Sequence, residues 1–171
     1  TDASPYLTLG ELTATTGNLS FITTATASPT SFTIDSFTAS GTSNVLVTIL
    51  NTSTKAQVVN VTGNLSTLGT LGVTAGDAST DTSILNIGGN LTAGATTLTK
   101  DTATATLAFN GATAQSVTTV INGSGANSGI LNASNTSGGV TFNSAIGTTN
   151  TLTSINVTTG TATFDGAIGA V

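Results

Sequence analysis

Val58-Val59-Asn60-Val61-Thr62-Gly63-Asn64-Leu65-Ser66 returns 26 residues later as Ile84-Leu85-Asn86-Ile87-Gly88-Gly89-Asn90-Leu91-Thr92. Thr141-Phe142-Asn143-Ser144-Ala145-Ile146-Gly147 returns 22 residues later as Thr163-Phe164-Asp165-Gly166-Ala167-Ile168-Gly169. Self-similarity at periods of about 20 to 50 residues marks repeat architectures. Such chains fold by stacking one unit on the next, so function usually lies in shape and surface.

The segments between these repeats alternate by two. Phe32 and Ile34 share one side of an extended chain, as do Val45, Val47 and Ile49. Ala105, Leu107 and Phe109 repeat the pattern, followed by Ile155 with Val157 and Ala162 with Phe164. Alternation of this kind argues strands, and the Gly, Asn, Ser and Asp that interrupt it supply turns. No stretch carries helical periodicity. The fold class is all-β.

Apolar residues followed at once by Asn or Asp give the period. Ile34-Asp35, Val59-Asn60, Leu85-Asn86, Phe109-Asn110, Leu131-Asn132 and Ile155-Asn156 form one series. Ile121-Asn122, Phe142-Asn143 and Phe164-Asp165 form a second, about half a period away. The spacing predicts a parallel β-helix, a β-solenoid of about 24 residues per coil, in which like residues stack about 4.8 Å apart. Expected stacking positions are Asn60, Asn86, Asn110, Asn132 and Asn156 in one column, with Asn122, Asn143 and Asp165 in another. Stacked amides can donate and accept along the axis. About seven coils would make a rod roughly 34 Å long.

The repeats occupy residues 56–171. Residues 1–55 repeat least well and are expected to form a cap, an exchanged strand or irregular coils. Within them Tyr6, Leu7, Leu9 and Leu12 mark a candidate edge or exchanged strand. The alternative architecture is an antiparallel β-sandwich, pilin-like, that completes a neighbour's sheet with that strand. The chain begins at Thr1 and ends in the apolar Gly166-Ala167-Ile168-Gly169-Ala170-Val171, so it is expected to be trimmed from something longer or to dock on another copy. No signal peptide is visible.

Composition removes several function classes. Lys55 and Lys100 are the only cations, against seven acids, for a net charge of −5. Two lysines cannot supply the clustered positive charge that nucleic acid or an anionic membrane requires. No apolar run approaches the roughly 20 residues that span a bilayer. Without His, Cys or Arg, hydrolytic triads, His-ligated zinc and arginine-assisted phosphoryl transfer are all excluded. No catalytic residues and no cofactor are expected, and the chain reads as a non-enzyme. Asp77 and Asp81 in Gly76-Asp77-Ala78-Ser79-Thr80-Asp81 are the nearest approach to a Ca²⁺ site, although solvated turn acids are the simpler reading.

Thr and Ser make up about a third of the chain, and charged residues only 5%, against roughly 25% in an average soluble domain. Asn-x-Ser/Thr sequons are frequent. Those outside the expected stacks start at Asn18, Asn51, Asn64, Asn90 and Asn135, the candidate glycosylation positions.

Gly63-Asn64-Leu65-Ser66, Gly89-Asn90-Leu91-Thr92, Ser137-Gly138-Gly139-Val140-Thr141-Phe142 and Gly160-Thr161-Ala162-Thr163-Phe164 resemble the repeats of bacterial β-strand-repeat surface proteins, the autotransporter-passenger and filamentous-haemagglutinin-like adhesins. The resemblance covers residues 56–171. It implies a right-handed parallel β-helix displayed outside the cell, with no catalytic residues to carry over. The functional expectation is a secreted structural protein that self-assembles at the cell surface as a filament, a layer or an adhesin stalk. Its partners would be copies of itself or flanking parts of a longer chain, with glycan as a further candidate. A donor-strand-exchange pilus subunit and a carbohydrate-binding adhesin module are the alternatives.

Overall fold

The computed structural model describes residues 6–14, 19–25, 31–39, 44–51, 57–76, 83–100 and 103–169. Among these residues there is no helix, and every strand pairing is parallel. The protein is a parallel β-solenoid. The antiparallel sandwich is thereby overturned, because sequential strands do not fold back on each other. Each instead pairs with its counterpart one circuit away.

The described residues form seven levels. The first holds β1 (Tyr6–Ala14) and β2 (Leu19–Ala25), and the second β3 (Ser31–Ala39) and β4 (Val45–Asn51). Three levels of three strands follow. They are β5 (Gln57–Val61), β6 (Leu65–Thr67) and β7 (Thr70–Gly76); then β8 (Ser83–Ile87), β9 (Leu91–Thr92) and β10 (Ala95–Lys100); then β11 (Ala105–Phe109), β12 (Gln115–Thr118) and β13 (Ile121–Gly123). The sixth level holds β14 (Ile130–Ala133) and β15 (Val140–Phe142), and the seventh β16 (Ser154–Val157) and β17 (Ala162–Phe164). In these last two the third strand shrinks to single bridges at Ile146 and Ile168.

Stacked, the strands make three faces. The first face runs β16-β14-β11-β8-β5-β3, and the second runs β3-β6-β9-β12-β15-β17. The third runs β13-β10-β7-β4-β2. The long strand β3 bends between faces, pairing with β5 through Ser31–Ile34 and with β6 through Phe37–Ala39. Six steps of about 4.8 Å give a rod about 29 Å long.

Strand alternation sends every second residue inward, and parallel register sets those residues in columns. One column of the first face is Phe32, Val59, Leu85, Leu107, Leu131 and Ile155. Its neighbour is Ile34, Val61, Ile87, Phe109, Ala133 and Val157. The second face contributes Phe37, Leu65, Leu91, Val117, Phe142 and Phe164. Most of these side chains are buried and belong to one continuous core. Phe142 and Phe164 stack with centroids 5.1 Å apart, and Phe109 meets Phe142 edge-on at 5.5 Å. Both arrangements suit the ring quadrupole.

Among the described residues, parallel pairing holds within residues 6–51 as it does within 57–169. β1 pairs with β3 of its own chain over Tyr6–Ala14, placing Leu7 opposite Phe32, Leu9 opposite Ile34 and Leu12 opposite Phe37. Tyr6, Leu7, Leu9 and Leu12 thus lie in the first level of the solenoid.

One buried polar atom breaks the pattern. By register the outward column runs Ser31, Val58, Ile84, Thr106, Ile130, Ser154, polar at Ser31 and Ser154 and, between them, apolar except at Thr106. Thr106 is 2% exposed and its hydroxyl has no partner. Two substitutions test this packing. Thr106→Val removes an unsatisfied hydroxyl at constant shape and should raise stability by about 1 kcal/mol. Leu85→Ala opens a cavity between Val59 and Leu107 and should cost about 2–5 kcal/mol. Urea unfolding midpoints measure both.

Candidate functional site

The outer surface of the first face carries an amide ladder. Asn60 and Asn86 face outward because Val59, Val61, Leu85 and Ile87 face the core. Asn86 Nδ2 donates to Asn60 Oδ1 at 2.8 Å. Two levels further on, Asn156 Nδ2 donates to Asn132 Oδ1 at 2.9 Å. The level between them holds Ala108, which pairs with Asn86 on one side and Asn132 on the other. By register the full column is therefore Thr8, Thr33, Asn60, Asn86, Ala108, Asn132 and Asn156.

Asn110 is not in that ladder, which corrects the sequence expectation. Phe109 pairs with Ile87, and Asn110 donates its backbone N–H to Ile87 O at 3.2 Å as the chain leaves the strand. The apolar–Asn pairs are of two kinds, mid-strand (Asn60, Asn86, Asn132, Asn156) and strand-end (Asn110). A slip of two residues leaves the same side chains inward, so alternation alone cannot separate the two kinds.

The second expected column also divides. Phe142 pairs with Phe164, so Asn143 and Asp165 follow at equivalent positions on the second face. Asn122 lies in β13 on the third face, opposite Thr97, and its Oδ1 accepts from Thr149 N at 3.2 Å. Asn143 Nδ2 donates to Ser116 Oγ at 2.9 Å.

Asn64 and Asn90 do structural work at the corner between the first two faces. Asn64 Oδ1 accepts from Asn90 N at 2.7 Å, and Asn90 Oδ1 from Ser116 N at 2.8 Å. Each carbonyl satisfies a backbone donor one level on. Both residues are exposed. Asn135 differs sharply from them. It is fully buried, and its amide nitrogen donates to Thr113 O at 2.6 Å and Gln115 Oε1 at 3.0 Å. Its Oδ1 accepts from the backbone N–H groups of Ser137, Gly138 and Gly139. That nitrogen has no room for a glycan in the folded chain. Asn51 ends β4, while Asn18, Asp77 and Asp81 lie outside the described residues. Among the described residues no cluster of three or more acids, His or Cys could hold a metal.

Sequence reasoning missed Gln115. It is 3% exposed and forms a clasp with Asn135. Gln115 Nε2 donates to Ile87 O at 2.9 Å and Gly89 O at 2.7 Å, and its Oε1 accepts from Gly111 N at 3.0 Å. The clasp sits where the corner widens. Ile87 to Leu91 is a step of four residues, but the equivalent step from Phe109 to Val117 is eight. The longer turn carries more backbone amides than the neighbouring levels can pair, and the two buried side chains take them up. The available signal was one Gln in a turn otherwise built of small residues, Asn110-Gly111-Ala112-Thr113-Ala114-Gln115.

Beside this corner an open groove of about 360 Å³ runs along the first face. Thr33, Asn60, Thr62, Asn86, Asn110 and Ala112 help to line it, and none of the described residues lining it is charged. It offers amides, hydroxyls and backbone groups only. Its chemistry is neutral hydrogen bonding.

No protein-family model, curated protein or solved structure matches this chain.

Replacing Asn135 by Ala should be among the most damaging polar substitutions. It strands three backbone N–H groups and Thr113 O, at about 1–3 kcal/mol for each buried group left unmet, while Gln115 Oε1 keeps its bond from Gly111 N. Asn86→Ala removes one half-exposed bond and should cost about 0.5–1.5 kcal/mol. The ratio of the two, read from denaturation midpoints, separates clasp from ladder.

Proposed function

We propose that this chain is a non-enzymatic extracellular structural element that self-assembles at the cell surface, as a filament, a layer or an adhesin stalk. One observation carries the reading. The inner columns run in register from Phe32 to Ile155 and from Phe37 to Phe164 without interruption. A rod with a continuous core is suited to spacing and load, since each level rests on the next.

Composition supports the same role. A surface of Thr, Ser and Asn is hydrated yet nearly uncharged, and Thr38, Ser66, Thr92 and Thr118 stack as one outward column of hydroxyls. The resemblance of Gly63-Asn64-Leu65-Ser66 and Gly89-Asn90-Leu91-Thr92 to adhesin repeats points the same way. Copies of this chain or flanking parts of a longer one are the partners under this proposal.

Sedimentation over a wide concentration range, followed by electron microscopy and fibre diffraction, provides the test. Axial assembly should give particles that lengthen with concentration and a reflection near 4.8 Å along the particle axis. A chain that stays monomeric throughout defeats the self-assembly proposal.

A further inference from the structure

The corner that holds the clasp also holds a chemical weak point. Asn110 is followed by Gly111, and an Asn-Gly pair is the sequence in which the next backbone nitrogen reaches the Asn side chain with least steric resistance. The glycine is dictated by packing. A Cβ at Gly111 would run into Gly88 O from the level before and lie 2.9 Å from Gln115 Cδ. The fold therefore requires Gly after Asn110, and with it the capacity for deamidation.

We infer that Gln115 shields Asn110 from deamidation by holding the Gly111 N–H, and that this keeps the first-face groove neutral. The reaction begins when Gly111 N, having lost its proton, attacks Asn110 Cγ. The N–Cγ bond forms, the Cγ–Nδ2 bond breaks, and Nδ2 leaves as ammonia with the proton given up by Gly111. Water then opens the succinimide at either carbonyl, giving Asp or isoaspartate. Gly111 N donates to Gln115 Oε1 at 3.0 Å, and the residue is buried. A donor engaged in a buried hydrogen bond is harder to deprotonate and is held away from its target. Gln115 is in turn fixed by its own bonds to Ile87 O, Gly89 O and Asn135 Nδ2.

The product would matter to the surface. Asn110 is exposed and lines the groove beside Asn60 and Asn86. Deamidation would place a carboxylate among groups that offer only neutral hydrogen bonds. This inference is independent of whether the chain assembles.

The chain supplies its own reference. Asn122-Gly123 is the other Asn-Gly pair, and its Gly123 N donates to Asn150 O at 3.1 Å, away from the clasp. The experiment incubates the native chain, the guanidinium-denatured chain, and the variants Gln115→Met and Gln115→Glu at mildly alkaline pH. Peptide mapping by mass spectrometry follows Asp and isoaspartate at both positions. Native Asn110 should convert at least about tenfold more slowly than in the denatured chain. Gln115→Met should accelerate Asn110 severalfold, up to the roughly tenfold that one net hydrogen bond is worth, with Asn122 unchanged. Gln115→Glu loses the same Nε2 donors but keeps an acceptor for Gly111 N–H, so Asn110 should stay slower than in the Met variant. Should native Asn110 convert at the denatured rate, or should the Met and Glu variants show equal rates at Asn110, the inference is overturned. A common acceleration of Asn110 and Asn122 in both variants would likewise assign Gln115 a purely structural role.

Discussion

Parallel pairing of each circuit with the ones before and after it governs this molecule. Once that hydrogen bonding is in place, no residue chooses its neighbours independently, since each stands about 4.8 Å from its counterparts. Inward columns must be apolar and matched in volume. Phe109 follows Ile87 and precedes the smaller Ala133, while Phe142 approaches it from the second face. Outward columns must tolerate self-stacking. Two like charges at this separation repel by about 1 kcal/mol even in water, and a column multiplies that. Hydroxyls and amides stack without penalty and can bond to one another. That accounts for two lysines and seven acids in 171 residues, and for a surface left to Thr, Ser and Asn.

The corners make the second demand. Strand amides are paired by the ladder and many turn amides also bond from level to level, but those left over at buried corners need partners. Tight corners are solved by exposed Asn side chains, each reaching one level on, as Asn64 does to Asn90 and Asn90 to Ser116. Glycine permits the close approach: a Cβ at Gly88 would collide with Thr62 O. Wide corners need a deeper solution. Gln115 and Asn135 are buried and saturate their amides against seven backbone N–H or C=O groups of their own and adjacent turns, plus each other. A buried network of this kind strengthens the fold only when complete.

This division explains what could be read from the sequence. The nine-residue repeat at Val58 and Ile84 gave both the architecture and the true register of Asn60 over Asn86. It succeeded because both segments cross the same tight corner. The register failed at Asn110 because the wide corner inserts residues just there, and an apolar–Asn pair looks alike within a strand and at its end. Asn122 was grouped with Asn143 on spacing alone, although the two lie on different faces. The burial of Asn135 was illegible for a different reason. A sequon within Asn-Thr-Ser-Gly-Gly reads as an exposed turn. Only the three-dimensional corner reveals that three successive N–H groups need one acceptor.

A stack of levels is quasi-one-dimensional, and its stability is close to a sum of terms between nearest neighbours. Gln115 ties two of those neighbouring terms to one side chain. It belongs to the fifth level, donates to Ile87 and Gly89 of the fourth, and accepts from Asn135 of the sixth. Ladder bonds such as Asn86 to Asn60 join two levels only. The clasp therefore couples three circuits through one side chain, at the point where the turns lengthen and backbone pairing alone would be thinnest. The middle of the rod gains cooperativity from the corner that would otherwise interrupt it. A wide turn can then be carried on the surface without dividing the core beneath it.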